Sequence, residues 1–149
     1  MLLASFKYVS TLSILILFAS LCLSVKAQAE QKQLLGSWEV HYMALNSTFI
    51  SPAVAKQYAI VRSKYNALIN ISVLDKLSKE AQGVVIKGSA RNLLGVKKEL
   101  GFTQVTEGKA IYYLAVLPFS DQENFRFEIN ISDGLEQQTL KFQHKFYAE

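Results

Sequence analysis

The chain has 149 residues, of which 50% are hydrophobic, and a formal net charge of +4. A chain of this length can bury one hydrophobic core, so a single domain is expected. Basic and acidic residues are mixed along the sequence, and Lys97-Lys98 is the one adjacent basic pair. Because a nucleic-acid-binding surface needs a basic stripe, this pattern argues against a nucleic-acid partner.

The first 29 residues have the pattern of an export signal. Lys7 supplies a positive charge near the start, and residues 8–25 carry no charge. Ala27 and Ala29 then provide the small side chains that a signal peptidase requires. We therefore predict a signal peptide over residues 1–29 and a mature domain over residues 30–149. The alternatives are a retained membrane anchor and lipid attachment at Cys22.

Cleavage would remove the only cysteine, Cys22, together with Lys7 and Lys26. The 16 basic residues would fall by two while all 12 acidic residues stayed, so the mature net charge would be +2. Without a thiol the mature domain could form no disulfide, no thiolate metal site and no cysteine nucleophile. Its stability must therefore come from its hydrophobic core.

The mature sequence is dominated by strand-like segments in which apolar and polar residues alternate. Phenylalanines at strand spacing favour an aromatic core over a base-stacking surface. Asp133-Gly134, between two such segments, indicates a tight hairpin. The segments at 66–74 and 82–91 are also expected to pair as a hairpin. Seven strands are predicted, over residues 36–45, 66–74, 82–91, 97–106, 109–117, 124–132 and 137–147.

One short helix interrupts this pattern. Ser51 is a good capping residue, and Pro52 suits the first helical position because its missing N–H would have no partner there. The helix is predicted to last about two turns and to be the only one in the mature chain. With so little helix to cover a parallel sheet, the sequence favours an all-β, immunoglobulin-like antiparallel sandwich. A small up-and-down barrel is the alternative.

Chemical signatures are scarce in the mature sequence. His41 and His144 lie far apart and have no ligand spacing near them, so we expect no metal and no cofactor. His144 shares a strand face with Phe142 and Phe146 and is expected to be partly buried, whereas His41 is expected to be exposed. No nucleophile elbow, catalytic carboxylate pair or phosphate loop is present. A catalytic role is therefore disfavoured, and a hydrolase is the remaining enzymatic alternative.

Residues 46–64 are the candidate binding segment, because a turn, the helix and a basic stretch interrupt the strands there. Its predicted site residues are Asn46, Thr48, Tyr58, Arg62 and Lys64. Tyr58 would be an apolar anchor, and Arg62 and Lys64 would face an anionic or carbonyl-rich partner. The alternative is that Asn46, Ser47 and Thr48 form the turn through side-chain bonds to the backbone, with Arg62 and Lys64 simply solvated.

The middle third of the chain also carries a family resemblance. The residues concerned are His41-Tyr42, Ala44, Asn46-Ser47-Thr48-Phe49, Pro52, Val54-Ala55-Lys56, Tyr58, Ile60, Arg62-Ser63-Lys64 and Leu68-Ile69-Asn70-Ile71-Ser72-Val73-Leu74. On these residues the chain resembles the bacterial family catalogued as domain of unknown function 4426. Met43 departs from the polar residue expected at its position.

The resemblance implies a small exported protein of Gram-negative bacteria with an immunoglobulin-like sandwich, and therefore a periplasmic location. It implies no activity and no site residues. Two functions follow as hypotheses: a non-catalytic module that binds an envelope protein or a small ligand, and a carrier of a small apolar ligand such as a lipid. Neither requires a membrane span after the signal is removed.

Overall fold

The computed structural model describes residues 31–148, which form nine strands, a 3-10 turn and one α-helix. The first half contains β1 (Gln31–Leu35), β2 (Trp38–Asn46), the 3-10 turn (Ser47–Phe49), α1 (Pro52–Gln57) and β3 (Asn66–Asp75). The second half contains β4 (Val85–Asn92), β5 (Lys97–Leu100), β6 (Thr103–Glu107), β7 (Ala110–Pro118), β8 (Asn124–Ser132) and β9 (Gln137–Lys145).

The strands form two antiparallel sheets. The larger sheet has the order β1-β2-β3-β7-β6, and the smaller has the order β5-β4-β8-β9. Both sheets are open at their edges, so the described fold is a sandwich and the alternative of a closed barrel is wrong. The predicted all-β sandwich is confirmed.

Period-two alternation places the core between the sheets. Ile69 and Ile71 face inward from the larger sheet, and Phe127 and Ile129 face inward from the smaller one; each is 2% exposed or less. The aromatic core predicted from strand spacing is also present. Phe142 stacks on Phe127 with ring centroids 4.5 Å apart and meets Tyr42 of the opposite sheet at 4.6 Å.

Two strands differ from the prediction. β1 was not predicted, because Gln31-Lys32-Gln33 has no apolar alternation; it is a polar edge strand paired with β2. The predicted strand 97–106 is in fact two strands, β5 and β6, which belong to different sheets. The chain crosses between the sheets at Gly101 and Phe102, and this crossing leaves no mark in the alternation on either side.

The predicted hairpin between residues 66–74 and 82–91 is wrong. β3 pairs with β2 and β7, whereas β4 pairs with β5 and β8 in the other sheet. The connection between β3 and β4 crosses the sandwich, leaving a single bridge between Leu74 and Ala81. Neighbouring strands of this kind can belong to either sheet, and alternation carries no information about which.

The β8–β9 hairpin is confirmed, with a loop of four residues closed by the pair Ser132 and Gln137. Gly134 has a φ of +94°, and the Asp133 carboxylate accepts bonds from the N–H groups of Leu135 and Glu136. The predicted signal peptide, Ala27, Ala29 and Cys22 lie outside the described residues. Between residues 31 and 148, no helix has the length and apolarity to span a bilayer.

Candidate functional site

The segment between β2 and β3 lies at one end of the sandwich and begins with a buried turn. The Ser47 side chain is fully buried; its hydroxyl accepts the Ser63 N–H at 2.9 Å and lies 3.2 Å from the Val61 carbonyl oxygen. The turn is therefore bonded to the far end of the same segment. These bonds fix the whole loop relative to the sheets.

Helix α1 is held by its sequence and by one packed face. The Ser51 hydroxyl accepts the Val54 N–H at 3.4 Å, and Pro52 occupies the first turn, as predicted. Ala55 packs with Ile60 and Leu68 in a small second core on the outer face of the larger sheet. The helix therefore covers one end of a sheet face that would otherwise expose Leu68.

Three of the predicted site residues make bonds that hold the loop in place. Asn46 is 7% exposed and donates from Nδ2 to the carbonyl of Tyr147 at 2.6 Å. The carbonyl of Thr48 accepts a bond from Arg62 Nη2 at 3.0 Å. These contacts join the segment to the C-terminal residues and close it on itself.

The side chains of Tyr58, Arg62 and Lys64 are more accessible than that of Asn46. Tyr58 is half-buried against the second core, and its hydroxyl accepts a bond from Gln57 Nε2 at 2.9 Å. Arg62 and Lys64 are both exposed, and Lys64 Nζ lies 5.1 Å from the centre of the Tyr65 ring. Arg62 and Lys64 are thus both accessible to a partner, whereas Tyr58 is partly covered by the second core.

Large exposed apolar side chains lie in this segment and next to it, and sequence reasoning missed them. We call Phe49, Val61, Tyr65 and Tyr147 the end patch; their exposures are 69%, 66%, 47% and 48%. Phe49 and Tyr147 also line a cleft of about 220 Å³ with Asn46 and His144. Alternation alone could not identify them, because Phe49 lies in the 3-10 turn and Val61 and Tyr65 lie outside any helix or strand.

The two histidines differ from each other. His144 is half-buried beside Phe146, with ring centroids 4.5 Å apart, and burial lowers its pKa below the usual range, in agreement with the expected partly buried position. His41 was expected to be exposed, but its side chain is only 18% exposed because Nε2 lies 2.9 Å from Glu39 Oε1 on the same strand face. No cluster of three or more potential metal ligands occurs within residues 31–148.

A buried carboxylate and its cations are the most strongly charged feature on the outer face of the larger sheet. Glu39 is 7% exposed and bonds Lys79 and Lys32 as well as His41. An open basin of about 740 Å³ adjoins it, lined in part by Ser72. Three basic side chains hold the carboxylate, so the group stabilises the fold.

The fold and this end surface define a class: a small antiparallel β-sandwich with a long irregular segment, residues 47–65, between β2 and β3. The sequence model for the family described as a domain of unknown function, DUF4426, matches residues 32–149. The chain therefore belongs to this family, as the resemblance indicated. The family description gives no activity, catalytic or otherwise.

Solved structures agree with this assignment. A DUF4426 family protein from Pseudomonas aeruginosa PAO1 is 36% identical with a TM-score of 0.72, over 82% of this chain and 98% of that chain. A chain of about the extent of this sandwich therefore folds by itself. Among curated proteins, no significant match was found.

More distant structures share the fold alone. A copper-bound variant of FetP from uropathogenic Escherichia coli strain F11 is 12% identical with a TM-score of 0.55, over 81% of this chain and 97% of that chain. FetP of the same strain, expressed recombinantly in the periplasm of E. coli, is 12% identical with a TM-score of 0.50, over 79% and 92%. At this identity the copper of FetP says nothing about this chain.

Proposed function

We propose that this protein is exported to the periplasm by its N-terminal signal and acts there as a non-catalytic binding module. Its recognition surface is the end patch together with Arg62 and Lys64. One observation carries the proposal: four large apolar side chains are exposed on backbone that is fixed by hydrogen bonds. Holding apolar groups in water is unfavourable, and a rigid surface loses little entropy on binding.

The chemistry of the surface defines the partner. Aromatic side chains and arginine are enriched at sites that contribute most to protein–protein affinity. Arg62 and Lys64 are exposed, Lys64 lies 5.1 Å from the Tyr65 ring centre, and both would face acidic or carbonyl-rich groups. We therefore expect an envelope protein with an apolar, partly acidic surface.

The space between the two sheets does not support the hypothesis that the protein carries a small apolar ligand. Such a carrier needs an enclosed cavity of several hundred cubic ångströms. Here Phe127, Phe142 and Tyr42 meet across the middle of the sandwich at centroid distances of 4.5 and 4.6 Å. The space that a lipid chain would need is filled by these rings.

The test is site-specific photo-cross-linking in living cells. A photoreactive residue replaces Phe49 in one variant and Leu135 in a control; Leu135 is 99% exposed in the hairpin at the opposite end of the smaller sheet. We expect one partner to be cross-linked from Phe49 and not from Leu135. Changing Tyr65→Ser and Arg62→Ala should then weaken that partner's binding by about 30-fold or more.

Equal cross-linking from both positions would show nonspecific contact and contradict the proposed surface. Unchanged binding of the identified partner to the Tyr65→Ser, Arg62→Ala variant would contradict it as well. Fractionation of the cells tests the export step separately. Recovery of the full-length precursor in the cytoplasm alone would overturn the periplasmic location.

A further inference from the structure

A second exposed apolar feature lies at the tip of the hairpin that joins β4 to β5, at the same end of the sandwich as the end patch but on a different loop. Leu93, Leu94 and Val96, which we call the β4–β5 tip, are 67%, 90% and 52% exposed. Two leucines and a valine within four residues are unusual in an exposed turn, where polar residues and glycine prevail. No other described residue covers them.

The shape of this tip is fixed by its own hydrogen bonds. Asn92 Oδ1 accepts the N–H groups of Leu94 at 3.1 Å and Val96 at 2.9 Å, and Asn92 N–H donates to the Val96 carbonyl at 3.0 Å. Gly95 has a φ of +86°, which a side chain at that position would disfavour. The tip therefore presents its apolar side chains outward as a formed, convex surface.

Three basic residues next to the tip are cross-strand neighbours on β5, β4 and β8. Strand register places Lys97 opposite Arg91 and Arg91 opposite Arg126, and all three are exposed on the outer face of the smaller sheet. We call these three residues the basic row. Like charges directly opposite one another on neighbouring strands are destabilising. Their alignment is therefore not explained by the stability of the sheet.

Acidic residues only partly balance this row. Glu99 pairs with Lys97 at 2.5 Å, but none of the ion pairs within residues 31–148 involves Arg91 or Arg126. Arg91 Nη1 instead donates to the Gly95 carbonyl at 2.7 Å, which holds its guanidinium against the tip. Positive charge is thus placed directly behind the exposed leucines.

We propose that the β4–β5 tip and the basic row form an interfacial anchor for a bilayer that carries anionic phosphate headgroups. Leu93 and Leu94 enter the boundary of the acyl chains while the basic row contacts the phosphates. Apolar side chains ahead of a cluster of basic residues are the combination that holds a peripheral protein at an anionic membrane. A convex tip suits this occupant because a bilayer can deform around it.

The β8–β9 hairpin provides a contrast within the same sheet. Leu135 is 99% exposed there, but its neighbours Asp133 and Glu136 are acidic. Its loop follows Ser132, which pairs with Val85, the first residue of β4. The β4–β5 tip instead follows Asn92, the last residue of β4. Leu135 is therefore a matched exposed leucine at the other end of the sheet, without the cations.

The test measures binding of the mature chain, residues 30–149, to vesicles of phosphatidylglycerol and of phosphatidylcholine by co-sedimentation. We expect binding to the anionic vesicles alone, weakening as salt is added. Changing Leu93→Ser and Leu94→Ser should weaken binding by at least about tenfold. Arg126→Gln should weaken it by about fivefold, and Leu135→Ser should leave it unchanged.

Insertion of the tip is measured separately by fluorescence. Trp38, the only tryptophan, is 2% exposed and gives a constant background. Leu94→Trp should shift its emission to the blue on anionic vesicles, and Leu135→Trp should not. Thermal unfolding of each variant confirms that it is folded before it is compared.

Three results would overturn the proposal. One is the absence of binding to phosphatidylglycerol vesicles, and another is equal binding by the Leu93→Ser, Leu94→Ser variant and the parent. The third is a dimer in sedimentation velocity that the same two changes dissociate, since a second copy of the chain would then cover the tip. None of these results bears on partner binding by the end patch, so membrane anchoring and partner binding are tested independently.

Discussion

The carboxylate of Glu39 lies where three basic side chains from three parts of the chain meet. Lys79 Nζ and His41 Nε2 are each 2.9 Å from its oxygens, and Lys32 Nζ is 3.2 Å away. The bond from Lys79, followed by those from His41 and Lys32, lowers its pKa from 4.5 to about 2. Glu39 thereby connects β1, β2 and the loop between β3 and β4 through charge.

This cluster predicts how stability depends on pH. Because the pKa of Glu39 is lower in the folded state, its contribution is present above pH 4.5 and is lost as the pH falls toward 2. Glu39→Gln should therefore be less stable than the parent at pH 7, and the difference should shrink over that interval. Urea unfolding of both chains at a series of pH values measures it.

Glu128→Gln is the control, because Glu128 also pairs with a lysine, Lys141, at 3.5 Å but is 58% exposed. Exposed ion pairs contribute about 1 kcal/mol or less, so this change should have little effect at any pH. A stability difference for Glu39→Gln that stays constant from pH 7 to 2 would contradict the assigned role of the carboxylate.

At the scale of elements, helix α1 is attached to the sandwich by the second core and by little else. Ala55 is the one buried residue of the helix, at 4% exposure, and it contacts Ile60 and Leu68. A helix of six residues is too short to persist in water without such packing. Its position therefore depends on the absence of a larger side chain at residue 55.

Ala55→Asp should detach the helix without unfolding the sheets. The carboxylate would be buried in the second core without a partner, which is strongly unfavourable. Hydrogen exchange should then lose protection at the amides of residues 54–60 and keep it in β2, β3 and β8. Ala53→Asp, at an exposed position of the same helix, should keep protection throughout; equal loss in both variants would refute packing as the cause.

The elements that sequence analysis predicted correctly are those with a local signal. Ser51-Pro52 defined the start of α1, and Asp133-Gly134 defined the β8–β9 hairpin. β1 had no such signal, since Gln31 and Lys32 face solvent on an edge strand. The division of residues 97–106 at Gly101 depends on which sheet each half joins, and that choice is made by contacts distant in sequence.

At the scale of the whole molecule, stability comes from rings packed between the sheets. Phe127 is 2% exposed and stacks on Phe142. Phe127→Ala should cost about 3–5 kcal/mol, a large part of the roughly 5–15 kcal/mol that a domain of this size has. Urea unfolding measures the loss as a lower midpoint.

Phe49→Ala is the matched control, because Phe49 is 69% exposed. It should change the free energy of unfolding by no more than about 0.5 kcal/mol. A cost for Phe49→Ala close to that for Phe127→Ala would mean that Phe49 supports the fold, and the end patch would lose its strongest member as a binding group.

For the candidate site, the sequence could propose a location more readily than the roles of its residues. An interruption of the strand pattern indicated residues 46–64, which include Phe49 and Val61 of the end patch, and a binding role there stays a prediction. The roles of single residues could not be predicted, because they depend on partners far away in sequence. Asn46 donates to the carbonyl of Tyr147, 101 positions further along, and is buried at 7% exposure.

The two long sides of the sandwich are closed in different ways. On one side the chain itself passes between the sheets, at Gly101 and Phe102, and joins edge strand β5 to edge strand β6. On the other side, edge strands β1 and β9 meet through a bond from Gln33 Nε2 to the Lys141 carbonyl at 3.2 Å. The two sheets are therefore joined by covalent backbone along the β5–β6 side and by hydrogen bonding along the β1–β9 side. Under mechanical load we expect them to separate first between β1 and β9.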